Sequence, residues 1–106
     1  MSELDLVRAC REAGLRSPQR QVSRTDRDGR RRYTDCEWDL PDGRVLVLEI
    51  DGGFHREAST YALDMRRQRK LTTKDRIVVR CAAEELRFDP AAVMADLLAL
   101  GAGRVA

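Results

Sequence analysis

The sequence predicts a single α/β domain. The run Val45-Leu46-Val47-Leu48 with Ile50 is apolar at both parities, which suits a strand buried on both faces under helices. Two turn clusters, Asp26-Arg27-Asp28-Gly29 and Pro41-Asp42-Gly43, separate it from extended segments on its N-terminal side. Stretches of helical spacing lie before, between and after the strands. The 106 residues have room for one hydrophobic core and not for two.

Residues Leu4 to Ala13 read as a helix, with Leu4, Val7 and Cys10 at helical spacing, Gly14 at the C-cap and Pro18 forbidding continuation. Arg20 to Thr25 alternates weakly, and Arg32 to Trp38 is a second extended run after the Gly29 turn. Arg44 to Ile50 is the strongest strand, and Gly52-Gly53 breaks it. Ala58 to Leu71 reads as a helix with Ala58, Tyr61, Ala62 and Met65 on its apolar face. The basic run Arg66-Arg67-Gln68-Arg69-Lys70 covers the remainder. Arg76 to Cys81 is a short strand. Asp89 is a natural N-cap with Pro90 at the first helical position, and Val93, Leu97 and Leu100 line a final helix stopped by Gly101. The expected order is helix, three strands in two hairpins, helix, strand, helix. Residues 1–18 form the first helix and a linker, 19–101 the core, and 102–106 a frayed tail.

Composition narrows the functional classes. The first twenty residues carry Glu3, Asp5, Arg8, Arg11 and Glu12, no signal-peptide core fits there, and no run is long enough to span a bilayer, so a cytoplasmic location is expected. Three scattered cysteines, Cys10, Cys36 and Cys81, and the single His55 do not supply the paired ligands of a structural zinc site. A net charge of +2 does not by itself indicate nucleic acid. Of 20 basic residues only Lys70 and Lys74 are lysines. Arginine's planar fork suits phosphate recognition, although codon bias explains the excess equally well.

The acids carry the chemistry. Strand residues two apart share a face, so Tyr33, Asp35 and Glu37 line one side of the second strand and Val47, Glu49 and Asp51 one side of the third. Pairing across the turn at Asp42 sets Asp35 opposite Glu49, with Cβ atoms about 4.5–5.5 Å apart, and Asp51 one repeat along. Opposed like charges repel, and an oxygen-liganded Mg²⁺ or Mn²⁺ would compensate them. The competing reading places Glu49 and Asp51 at a solvated strand end with Arg80 and Arg44 as partners. His55, four residues after Asp51 across the two glycines, can fold back over the acids as a proton donor or acceptor, or serve as a surface residue.

Several blocks in this order carry a family resemblance. They are Tyr33-Thr34-Asp35-Cys36-Glu37-Trp38-Asp39-Leu40, Leu48-Glu49-Ile50-Asp51-Gly52 with His55, Asp64-Met65-Arg66-Arg67-Gln68-Arg69-Lys70-Leu71, and Arg76-Ile77-Val78-Val79-Arg80. From about Arg31 to Leu100 the chain resembles an endonuclease-like family of unknown function. That family is related to the very-short-patch mismatch-repair (Vsr) endonucleases, within the PD-(D/E)XK superfamily. The resemblance implies a restriction-endonuclease-like three-layer fold, a central mixed four-stranded sheet flanked by helices in the order αβββαβα. It also implies Mg²⁺- or Mn²⁺-dependent hydrolysis of phosphodiester bonds in DNA, with Asp35 and Glu49 as metal ligands. The superfamily's lysine, two residues after the second acid, is replaced here by Asp51. Asp51 would then be a third ligand or water-orienting group and His55 the acid/base, as in the mismatch-repair branch. Asp64 and Gln68, four residues apart on one helical face, would support the site from behind, and Lys70 falls off that face. Arg66, Arg67, Arg69 and Lys70 would contact the phosphate backbone, or form only the solvated face of the helix. A catalytically inactive module for nucleic-acid or protein binding is the alternative, and a homodimer or a partner protein would supply specificity.

Overall fold

The structure is a computed structural model describing residues 3–51 and 58–103, with the backbone alone at positions 3, 4, 58–61 and 64. In chain order the described elements are α1 (Glu3–Ala13), β1 (Gln19–Thr25), β2 (Arg31–Asp39), β3 (Val45–Asp51), α2 (Ala58–Leu71), β4 (Arg76–Ala82), α3 (Ala83–Phe88) and α4 (Pro90–Ala99). The strands form one mixed sheet in the order β1-β2-β3-β4. Two short turns make β1, β2 and β3 antiparallel neighbours, whereas the crossover through α2 returns β4 parallel to β3. Each hairpin turn needs a residue at positive φ, which Gly29 (82°) and Gly43 (87°) supply. The first turn is also held from within. The buried Asp26 carboxylate accepts the N–H groups of Asp28 (2.9 Å) and Arg30 (3.0 Å) and the Arg32 guanidinium (3.2 Å). Burial opposes the charge of Asp26, but these donors together hold its pKa below the ordinary carboxylate value.

Strand β3 is buried on both sides, as its sequence required. Leu46 and Leu48 join Cys36 and Trp38 in the main core, where α1, α3 and α4 contribute Leu6, Cys10, Leu86, Val93, Met94 and Leu97. Val47 points the other way and packs with Leu71 and Val78 beneath the end of α2. Trp38 buries its ring and donates its indole N–H to the Arg16 carbonyl at 2.8 Å. No helix among the described residues is long and apolar enough to cross a membrane.

Several expectations change, among them Leu100, which follows α4 as its C-cap and is exposed instead of lining it. Helix α1 buries Leu6 and Cys10, four apart, leaving Val7 half-buried. Helix α3 was not expected, since a six-residue helix with one buried apolar side chain, Leu86, carries no periodic stripe. The α2 face is different too. Ala62 and Met65 are exposed, while Arg67, Gln68 and Leu71 turn towards the sheet. The apolar spacing of Ala62 and Met65 misled because the surface that α2 covers is itself polar at its site end. Finally, Ala102 is fully buried rather than frayed. Its carbonyl accepts the Arg16 N–H at 3.1 Å, and Gly103 bridges to Leu15. The loop after α1 and the segment after α4 therefore zip together, a long-range pairing that local sequence does not encode.

Candidate functional site

The β2–β3 register runs Asp39↔Val45, Trp38↔Leu46, Glu37↔Val47 and Cys36↔Leu48. Continuing it by one residue brings Asp35 level with Glu49, the opposition expected from sequence. The β1–β2 ladder skips this position: Arg20↔Cys36 and Val22↔Thr34 are paired, and between them Gln21 takes φ 52°. That is an uncommon conformation for a residue with a side chain. The ladder resumes in the same register on either side, so the break is confined to the position that carries the acid. Asp35 Oδ2 turns to β3 and accepts the Ile50 N–H at 2.7 Å.

Asp35 and Glu49 open into a cavity of about 190 Å³ between the sheet and α2, lined also by Asp51, Arg67, Gln68 and Arg80. Burial, followed by the charge of Asp35 and a side-chain hydrogen bond with it, pushes the Glu49 carboxyl up to about 7. The Arg67 guanidinium pulls in the opposite direction. Glu49 Oε1 and Arg67 Nε are both buried without a hydrogen-bond partner among the described residues. Arg67 is steered by its other end, where Nη2 donates to the Tyr33 carbonyl at 3.3 Å.

Asp51 takes the partner that the solvated-strand-end reading assigned it. In the parallel β3–β4 ladder Arg80 is level with Glu49, and its Nη2 lies 2.9 Å from Asp51 Oδ2. Arg44, the other named candidate, pairs with Asp42 at 2.7 Å instead. Among the described residues no group of three or more Asp, Glu, His or Cys side chains is placed to hold a metal ion. Asp35, Glu49 and Asp51 all line the one cavity, and Asp51 is the member engaged by an arginine. His55 and the side chain of Asp64 lie outside what is described. Gln68 lines the acid cavity.

The basic helix residues divide. Arg66, Arg67 and Lys70 line a second cleft, against the β1–β2 hairpin, and Arg67 lines the acid cavity as well. Arg69 lines neither, and its carbonyl accepts the Arg27 guanidinium at 3.2 Å.

Sequence reading gave Glu37 no task beyond sharing a face with Asp35. It is 1% exposed, gripped by Arg24 Nε at 3.1 and 3.0 Å to its two carboxylate oxygens, and receives the Thr34 hydroxyl at 2.6 Å. The side-chain hydrogen bond to Glu37 in turn raises the pKa of Arg24 above its ordinary value. This pair of a half-buried arginine and a buried carboxylate braces β1 against β2. Its place between Cys36 and Trp38, both of the core, was the one signal for it. Comparison with protein-family models, with curated proteins and with solved structures finds no match for this chain.

Proposed function

We propose that this domain is a divalent-metal-dependent endonuclease-like hydrolase of phosphodiester bonds, acting on DNA and built on a restriction-endonuclease-like sheet. One observation carries the reading: Asp35 and Glu49 share one cavity, and a buried oxygen of Glu49 has no partner among the described residues. A carboxylate pair of this kind calls for a cation or a proton. The donor set is all oxygen and suits Mg²⁺ or Mn²⁺, which binds through one or two carboxylates and keeps waters and substrate phosphate oxygens for its other positions. Asp35 and Glu49 would hold it, and when bound it would polarise the phosphate and lower the pKa of a bound water.

The chain's own residues supply the rest. The Ile50 N–H fixes the Asp35 carboxylate, so its orientation is set before any ligand arrives. Arg67, at the junction of the acid cavity and the basic cleft, is positioned to neutralise a phosphate oxygen. Gln68 offers an amide to the same cavity. A cytoplasmic location, and a second copy or a partner protein supplying specificity, belong to the same proposal.

A second reading, an inactive module that keeps the fold to bind nucleic acid or protein, is favoured by one contact. The residue standing where the superfamily has its lysine, Asp51, is engaged by Arg80. The deciding experiment incubates supercoiled plasmid and short single- and double-stranded oligonucleotides with Mn²⁺, Mg²⁺ or EDTA, using wild type and Glu49→Gln. Metal-dependent cutting that vanishes in the variant is the expected result. Folded wild type that cuts nothing would leave the inactive module as the reading.

A further inference from the structure

The β1–β2 hairpin carries a pair of arginines to which sequence reading gave no role. Arg30, just after the Gly29 turn, and Arg32, in β2, form one wall of a cleft of about 370 Å³. Arg66, Arg67 and Lys70 of α2 form the other. Five cationic side chains meet there with one carboxylate, Asp28. Lys70 and Arg32 are matched by Asp28 and Asp26, and the charge left over, chiefly that of Arg30 and Arg66, favours an anion in this concave surface.

The two walls are joined. Arg27 donates its backbone N–H to the Lys70 carbonyl at 3.3 Å and its guanidinium to the Arg69 carbonyl, and Lys70 pairs with Asp28. Arg32 is held by Asp26. The cleft is therefore braced in place by the hairpin, so less ordering is left to a ligand. Arg30 and Arg66 have no side-chain hydrogen bond or ion pair among the described residues and remain available to one. Arg67 lines both this cleft and the acid cavity, which makes the two openings neighbours.

We infer that this cleft is the track along which the sugar–phosphate backbone of a nucleic acid reaches the Asp35–Glu49 cavity, with Arg30 and Arg32 of the hairpin as phosphate-binding residues. The choice of nucleic acid over another polyanion rests on the proposed phosphodiesterase chemistry next door. The walls offer guanidinium and ammonium groups, which grip phosphates without reading bases, so binding should be insensitive to sequence and steeply dependent on salt.

The test is anisotropy of a short labelled duplex titrated with the protein in EDTA, at a series of salt concentrations. Without metal no strand is cut, so binding is read separately from chemistry. The Arg30→Gln/Arg66→Gln variant removes two exposed charges and is compared with Arg8→Gln on α1, which packs on the far face of the sheet. The slope of log affinity against log salt should fall by about 2 in the double variant, close to 1 for each phosphate contact, and stay at the wild-type value in Arg8→Gln. Absence of binding at low salt, an unchanged slope in the double variant, or equal competition by polyglutamate of matched charge would each overturn the inference. Wild type that binds through the cleft yet never cuts sinks the hydrolase and leaves the cleft standing. Cutting that survives with the double variant's slope unchanged does the reverse.

Discussion

Asp35 Oδ2 accepts the backbone N–H of Ile50 at 2.7 Å, so the first acid of the pair is fastened to the strand that carries the second. The two carboxylates share one cavity, where burial and then the charge of Asp35 push the Glu49 carboxyl up to about 7.

That shift makes stability depend on pH. The folded protein binds the Glu49 proton more tightly than the unfolded chain, whose value is 4.5. The stability this proton contributes is full below pH 4.5 and is lost as pH rises through about 7. The full shift corresponds to at most about 3 kcal/mol, and solvent access to a half-exposed group reduces it to about 1 kcal/mol. Urea midpoints of wild type should fall relative to Glu49→Gln across that window. Parallel profiles for the two proteins would show that Glu49 is already ionised at neutral pH.

Metal should reverse that penalty. Mn²⁺ added at neutral pH is expected to raise the melting temperature, by the equivalent of about 2.7 kcal/mol at a hundredfold excess over Kd. Asp35→Asn and Glu49→Gln should abolish the rise, whereas Asp51→Asn should keep it, because Asp51 is engaged by Arg80. If Asp51→Asn abolished the effect as fully as Glu49→Gln, Asp51 would return to the ligand set.

The Arg24–Glu37 pair is expected to matter for folding and not for metal. Arg24→Met leaves the buried Glu37 carboxylate with the Thr34 hydroxyl and the more distant Arg76 charge, at a cost of about 2 kcal/mol, less than for a fully buried pair because Arg24 is partly solvated. Urea denaturation measures that loss, and Mn²⁺ titration of the folded variant should match wild type. A loss below about 1 kcal/mol would mean that water replaces the guanidinium.

The thiols offer a check on the core. Burial raises Cys10 to about 11, and burial followed by the charges of Glu85 and Asp35 raises Cys81 to about 11. Thiolate is the reactive form, so both should react with a disulfide reagent far more slowly in the native protein than in urea. Rapid native labelling of either residue, mapped by mass spectrometry, would contradict the packing around it.

The sequence by itself determined the strands, the two hairpin turns and, through them, the acid pair. Short turns fix register and side chains alternate along a strand, so Asp35 and Glu49 had to meet once β2 and β3 paired. That inference needed only contacts between neighbours in the chain. Tertiary structure alone decided what engages Asp51, because its partner, Arg80, arrives on β4 only after the α2 crossover. It also decided which face of α2 meets the sheet. Arg67, Gln68 and Leu71 face inward since the sheet beneath them offers carboxylates as well as Val47 and Val78. Periodicity within one helix reports the helix's own pattern and says nothing of the polarity of what it covers. The burial of Ala102 and the meeting of Arg30 and Arg32 with Arg66 and Arg67 likewise join segments far apart in the chain. Such long-range contacts are settled by how the elements pack together, not by local spacing.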